Sequence, residues 1–477
     1  MTKRLMPIYV ILFLSKIVYC QSHIDTVISA LGIDLHKPFG TKQFKTKITP
    51  YFFCNADDYV KLLTTTRDSN GVFLHEGKYK PTFIFQSGMN AYRYYKENDD
   101  MEAKKHFLNQ AKWLKNNLIG NSLNQGLWLF NHDKESYFLK KGWPSGLSQG
   151  MGLGLAQMAY HETGDKEYLA IMEKALLGYL ITVKEGGFLR LWDEMIWFEE
   201  YPTKEESRVL NGFIFSIAGL YNLYENTKNE LAHELFLKAV KTLEQKIHLY
   251  DAAFISKYSL FKKPGYSGLA KQSYHRLHVF QLLWLHEITG KNIFKDYAKK
   301  FLEIQRTQLP FGGLEIERVD SVWASSYTSK NSVDHIYDKK WSWGGVWSSY
   351  EKPFLQFEFS KARAIFGFSL YYSDSKSEKI PFSVFAVNEM GEEISIKSVK
   401  RVGRFVFTSN KNRKTYINTF EFRQELDISK LKLEFEGTNR KRRVTITECN
   451  VFVGLDQEIN IASKAIKKRI RKERKSI

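Results

Sequence analysis

From about Gln86 to Gln308 apolar residues recur every three to four positions. Ala103, Phe107, Ala111, Leu114 and Leu118 fall on one helical face. So do Ala232, Leu235, Phe236, Ala239, Val240 and Leu243, in keeping with the 3.6-residue repeat. Short polar turns at Glu97–Asp100, Thr163–Asp165 and Thr289–Lys291 divide the pattern into paired helices. Four helical hairpins are predicted, starting near Gln86, Ser145, Ser207 and His275, at a spacing of roughly 60 to 70 residues. Three longer Gly- and aromatic-rich connections separate them: Ile119–Pro144, Val183–Glu206 and His248–Tyr274. If the hairpins run up and down around a ring, the long connections gather at one end, where a rigid scaffold carries its chemistry.

After Gln308 the period changes. Phe354–Phe359, Phe382–Val387, Leu431–Phe435 and Val444–Thr447 alternate in strand fashion, with polar turns between them. That pattern predicts a β-sandwich or jelly roll, with the boundary between Leu309 and Asp320. The expected class is therefore an all-α (α/α) toroid of hairpins followed by an all-β sandwich. The expected divisions are a leader at 1–20, a lead-in at 21–80 with a first helix around Asp57 to Asp68, a helical domain at 81–310, a β-domain at 320–456 and a basic tail at 457–477.

Composition adds three constraints. A chain of 477 residues suits two or three domains, and 43% hydrophobic with 15% aromatic content supplies their cores. The net charge of +19 favours a polyanionic partner; nucleic acid, anionic lipid and acidic polysaccharide all qualify on charge alone. Ile461–Ile477 contributes eight Lys or Arg against one Glu, which reads as a solvated, frayed helix or a disordered end. At the N-terminus, Lys3 and Arg4 precede an apolar run from Leu5 to Leu14, with a cleavage site at Val18-Tyr19-Cys20. This reads as a secretory signal and not a spanning helix, because Lys16 interrupts a run already too short to cross a bilayer. A lipoprotein reading on Cys20 is opposed by the bulky Tyr19. Cys54 and Cys449 then remain, which gives no disulfide framework and no zinc spacing.

Three clusters carry candidate chemistry. Trp197–Thr203 places Glu199, Glu200 and Tyr201 before Pro202, and helical periodicity resumes at Val209-Leu210-Asn211-Gly212-Phe213. The connection around Tyr258 leads to Leu269-Ala270-Lys271 and Tyr274-His275, with His278 and Gln281 beyond. Gly142-Trp143-Pro144-Ser145 leads to Ser148-Gln149-Gly150.

From about Gly142 to Gln308 these residues resemble the heparosan glucuronyl C5-epimerases. Glu199–Thr203 (EEYPT), Val209–Phe213 (VLNGF), Gly219–Tyr221 (GLY), Leu249–Asp251 (LYD) and the spaced run Leu269, Ala270, Tyr274, His275, His278 and Gln281 look like successive family motifs in order. The resemblance implies a catalytic Glu and two catalytic Tyr, falling on Glu200, Tyr258 and Tyr274, with Tyr201 beside Glu200 in the binding site. Trp143, Asn211, Lys262, Lys271 and His275 are the further substrate-binding candidates. One departure stands out: the family has an Arg three residues after its first Tyr, where this chain has Phe261, followed by Lys262 and Lys263. The family's upstream β-barrel is not recognisable either. In the C-terminal region Ala324–Ser326, Lys340–Ser342, Phe354–Phe357 and Gly367–Ser373 resemble a discoidin-type jelly roll, a domain that in many of its members binds carbohydrate.

The chemistry implied is inversion at C5 of a uronate, D-glucuronate to L-iduronate or an equivalent pair, within an acidic polysaccharide. A proton leaves the carbon next to a carboxylate and another returns on the opposite face, which requires two acid/base groups. Ionising a Tyr of pKa ~10 at pH 7 costs about 4 kcal/mol, so a cation such as Lys271 or His275 is expected nearby to stabilise the developing charge. The route needs no metal or redox cofactor, and the expected partner is the polysaccharide, not nucleic acid. The oligomeric state is open, a dimer included. Two rivals remain: a lyase that abstracts the same proton and then eliminates at C4, and a non-catalytic glycan-binding protein. The structural readings also stay open: a helix N-terminal charge for Glu200, packing for Trp143, and a core position for His275 or His278.

Overall fold

The computed structural model describes residues 48–61, 64–308, 321–325, 347–349, 353–388, 390–408, 414–439 and 442–476. The expected leader, Cys20, the Leu309–Asp320 boundary and the Lys340–Ser342 motif lie outside the described residues. Among the described residues no helix is long and apolar enough to cross a membrane.

The chain divides into two units. In the first, a short helix α1 (Ala56–Val60) precedes three hairpins: α2 (Pro81–Asn98) with α3 (Met101–Asn116), α4 (Gly146–Thr163) with α5 (Glu167–Leu177), and α6 (Leu210–Thr227) with α7 (Glu230–Lys246). Helix α1 is shorter than the Asp57–Asp68 expectation; Asn55 caps it by accepting from the Asp57 backbone N–H. A fourth hairpin, α8 (Gln272–Thr289) with α9 (Asn292–Gln308), belongs to the second unit.

The hairpin turns share one chemistry. Thr163, Thr227 and Thr289 each end a helix, and each hydroxyl donates to the carbonyl four residues back. The same hydroxyl accepts the backbone N–H two residues on, at 3.2 to 3.3 Å. The intervening residue is left-handed: Gly164 at φ 67°, Lys228 at φ 56° and Gly290 at φ 70°. In the first turn the Asn98 amide likewise donates to the carbonyl four residues back, and Asp99 is left-handed at φ 54°. The next helix then starts at once, capped in two cases by Asp100 or Asn229. The Thr227 turn has no obvious sequence signal, because Lys228 holds the place glycine takes elsewhere.

Helix α4 is buried along most of its length and packs against α2, α5 and α6. The second helices α3 and α7 carry one buried stripe each and are otherwise polar. Backbone contact between α4 and α6 is close: a Cβ on Gly219 would lie 2.4 Å from the Gly150 Cα. Closure of such hairpins into a toroid stays an expectation of the sequence.

In the second unit an eight-stranded antiparallel arrangement follows α8 and α9. Its two longest strands, Phe354–Tyr372 and Lys414–Phe435, pair along their length but shift register between Glu421 and Leu426. On one side of that shift Lys430–Phe435 pairs with Phe382–Val387, and Leu355–Glu358 pairs with Ser321–Ala324. On the other side Lys414–Phe422 pairs with Val399–Thr408, and Gly367–Tyr372 pairs with Ile446–Phe452. The irregularity lets each long strand take different partners at its two ends. Leu355, Phe357, Phe368, Leu370, Leu431, Leu433, Val444 and Ile446 are buried in one core cluster.

The basic C-terminal stretch is not a frayed end. Leu455–Ser476 is one helix. Within the second unit Ile459 and Ile466 are buried, and Asp456 pairs with Lys299 at 2.5 Å. Within the first unit, which takes in residues from Arg469 onward, Arg469 donates to the Phe52 and Cys54 carbonyls. Glu473 is buried against Arg93 at 2.7 Å. The cations and carbonyls that pair with this helix lie far away in sequence, so composition alone showed only a charge run.

Candidate active site

A two-stranded hairpin, Leu189–Trp192 with Met195–Phe198, presents the acidic pair. Its turn residues Asp193 and Glu194 both have positive φ, at 49° and 65°, the conformation that suits a two-residue hairpin. The chain leaves the second strand through Glu199 and Glu200, and the two adjacent carboxyls take unlike roles. Glu199 is fully buried. It accepts from the Ser207 hydroxyl at 2.7 Å and the Arg208 N–H at 2.8 Å, and lies 3.3 Å from the Arg190 guanidinium. It fastens the hairpin to the segment that opens α6. Its backbone is held as well, by Phe188 on one side and Gly146 on the other.

Glu200 is only 7% exposed. The Tyr258 hydroxyl donates a long hydrogen bond to its Oε1 at 3.5 Å, and Tyr201 interacts with the same carboxyl. Its Oε2 is buried with no hydrogen-bond partner. Burial raises its pKa to about 7, with Tyr201, Lys134 and Tyr258 pulling the other way. A buried carboxyl poised near neutrality beside a phenol fits a general base. Burial and the Glu200 charge hold Tyr201 far above the ordinary phenol range, so it serves as a neutral donor.

Gly212, in the first turn of α6, makes room for the carboxyl: a Cβ there would sit 2.2 Å from Oε2 and 2.6 Å from the Glu200 Cβ. We expect Gly212→Ala to displace Glu200 and reduce turnover at least tenfold, a loss of about 1.4 kcal/mol in barrier terms. The thermal midpoint should move little. Steady-state kinetics alongside a melting curve would check this, and unchanged turnover would contradict it.

The backbone of Tyr258 is fixed on both sides. Its N–H donates to the Gly268 carbonyl at 2.7 Å, and its carbonyl accepts from Leu210 at the start of α6 at 3.0 Å. Gly268 is left-handed at φ 68°, and a Cβ there would press on the Ser259 carbonyl at 2.5 Å. The segments 199–212 and 257–269 are thereby joined.

A third segment completes the site. Tyr137 stacks on Tyr201 with ring centroids 4.0 Å apart, and its hydroxyl lies 3.3 Å from that of Tyr266. Lys134 holds its ammonium 5.4 Å from the Tyr201 ring centre. Trp143 lies 5.7 Å from Tyr201, stacks flat on Phe130 at 3.9 Å, and donates to the His132 carbonyl at 2.9 Å. Lys134, Tyr137 and Tyr266 were not singled out from sequence. The only signal was their place in two of the aromatic-rich long connections.

Of the residues expected at the site, Glu200, Tyr201, Tyr258 and Trp143 come together. Asn211 is buried beside Gly212. Lys262 is exposed and lines a cavity of about 720 Å³ with Trp192, Lys204, Arg208 and Lys257. Phe261, where the family resemblance implied an arginine, is buried against Tyr137 and Tyr266 and makes an apolar wall. Tyr274 is half-buried near the start of α8 in the second unit, and Lys271 is exposed just before that helix.

His275 requires a correction. It is fully buried, with Nδ1 facing the Ser256 N–H and hydroxyl and Nε2 against the Phe301 carbonyl at 2.8 Å. Burial depresses its pKa to about 4. It is a neutral core residue and neither binds substrate from the surface nor supplies a cation. His278 is buried too, against the same Ser256 hydroxyl at 2.8 Å.

Residues 122–303 match the family described as D-glucuronyl C5-epimerase C-terminus. That segment is therefore similar to the D-glucuronyl C5-epimerases. The match starts upstream of Gly142 and takes in Lys134 and Tyr137. A D-glucuronyl C5-epimerase of Caenorhabditis elegans is 30% identical over 214 residues, which is 41% of this chain and 34% of that protein. An uncharacterized protein of Methanocaldococcus jannaschii is 31% identical over 181 residues, 37% of this chain and 57% of that protein. The chain thus spans about a third and somewhat over half of these two relatives. Among solved structures, a pectin-binding carbohydrate-binding module has a TM-score of 0.21 at 22% identity, covering 28% of this chain and 90% of that one. The lectin domain of lectinolysin has a TM-score of 0.22 at 19% identity, covering 29% and 96%.

Proposed function

We propose that this protein is a uronyl C5-epimerase that converts D-glucuronate to L-iduronate, or an equivalent C5 pair, within an acidic polysaccharide. The observation that carries the reading is Glu200: a buried carboxyl with a pKa near 7 and an unpartnered oxygen, contacted by Tyr258 inside the family-matched segment.

The proposed step begins with the C5–H bond. Its proton passes to Glu200, and the electron pair spreads into the uronate carboxylate as enolate-like charge. Lys134 and the neutral Tyr201 hydroxyl are the groups of this site suited to balance that charge. A proton then returns to C5 from the other face, and no bond at C4 breaks. Glu200 and Tyr258 touch each other, so we assign them jointly to one face, with the phenol passing protons to and from the carboxylate. Tyr274 is the candidate for the second proton, from its place in the family motif. The N-terminal segment makes export part of the proposal.

The test is incubation with de-sulfated heparosan-type and other uronate polymers in D2O, followed by proton NMR and ultraviolet absorbance. Loss of the C5 proton signal without new absorbance is expected. New absorbance would mean elimination, and the lyase reading would replace this one. The exchange rate should rise with pH and level off above about 7, because the base works only when ionised. A rate flat across neutral pH would remove Glu200 from the role of base.

A further inference from the structure

A second concavity in the first unit, with a volume of about 930 Å³, opens among residues 68–79, 109–119 and 129–142. Its chemistry differs from that of the Glu200 site. Tyr79 and Trp113 stack nearly parallel, 6.2 Å apart at 14°. Each ring is braced: the Tyr79 hydroxyl donates to Asp68 at 2.8 Å, and Trp113 packs on Phe85. Asn109, Asn116 and Asn131 also line it, and their side-chain amides make no hydrogen bond among the described residues. A free carboxamide offers two donors and an acceptor on one planar group, which matches sugar hydroxyls and amides better than it matches a carboxylate.

The wall of this concavity adjoins the proposed site. Phe130 lines it and stacks on Trp143, which in turn lies against Tyr201. Residues 68–79 and 109–119 lie upstream of 122, outside the family match. Ten of the fifteen residues that line the cleft therefore lie outside the matched segment.

We propose that the cleft binds uncharged sugar residues of the polymer beyond the reacting uronate and so sets a preference for long chains. The inference rests on the polysaccharide reading above but uses different residues. The exposed Lys112 and Lys141 at its edge would draw the polyanion in. The aromatic pair and the asparagine amides would then hold the neutral sugars.

The experiment is a tryptophan-fluorescence titration of the full chain with a heparosan-type tetrasaccharide and a decasaccharide. The decasaccharide is expected to bind about tenfold more tightly. Trp113→Ala should close that gap. So should the double variant Asn116→Ala/Asn131→Ala, whose exposed positions leave folding untouched. A gap that survives in both, no gap in the wild type, or no binding of either ligand would overturn the proposal. Deuterium exchange measured in parallel separates the two readings: exchange without a length gap sinks the cleft alone, and a gap without exchange sinks the epimerase alone.

Discussion

Glu200→Gln is expected to slow C5 exchange by about two to four orders of magnitude, the usual contribution of a positioned general base. The substitution keeps the shape of the side chain and its contact with Tyr258, so polymer binding should change far less than turnover. The same variant should be more stable than the wild type at neutral and alkaline pH. Burial lifts the Glu200 carboxyl from 4.5 to about 7, so between those values the folded protein holds a proton that the unfolded chain has released. Stability on account of this group is full below about pH 4.5, falls as pH rises, and above pH 7 is lower by about 3 kcal/mol. Glutamine carries no such penalty. Urea titrations of the two proteins at acid and alkaline pH should diverge only at the alkaline end. Equal turnover, or a variant less stable at every pH, would show that Glu200 is a structural carboxyl like its neighbour.

Arg190→Ala is the second large effect, and it reads the other glutamate. Glu199 is enclosed, and Arg190 is its nearest cation. The guanidinium also donates to the Thr203 carbonyl at 2.6 Å. Removing one partner of a buried pair leaves a charge without compensation, and we expect a loss of about 3 kcal/mol. The loss should shrink as pH falls, because burial already raises the Glu199 pKa and the uncompensated carboxyl will take up a proton more readily still. A shifted urea midpoint with unchanged slope would establish it. Arg190→Lys should recover part of the stability but not the Thr203 contact. A loss below 1 kcal/mol at neutral pH would mean that Ser207 and the Arg208 N–H hold Glu199 unaided.

These two expectations show how little adjacent positions say about roles. In sequence Glu199 and Glu200 are one acidic pair. Just past the end of the strand their side chains enter different surroundings. One meets a guanidinium and two fixed donors, the other a phenol and a glycine gap. The histidines make the same point, since His275 and His278 both turn into the core around Ser256.

What the sequence determined by itself was whatever local periodicity encodes. The hairpin helices and the β-strands follow from runs of apolar residues whose spacing matches one backbone geometry. The Thr-Gly turns were visible because glycine marks the left-handed position; the turn at Lys228 was not, because context and not residue type imposes its conformation. Motif order also pointed to Glu200, Tyr201 and Tyr258. Tertiary structure decided which of these groups share an environment. Lys134 and Tyr137 reach Tyr201 across more than sixty residues, and Gly212 empties the space that Glu200 fills. Burial, unlike periodicity, depends on every segment that packs around a residue. The value near 7 for Glu200 and near 4 for His275 therefore could not be read from their neighbours in the chain.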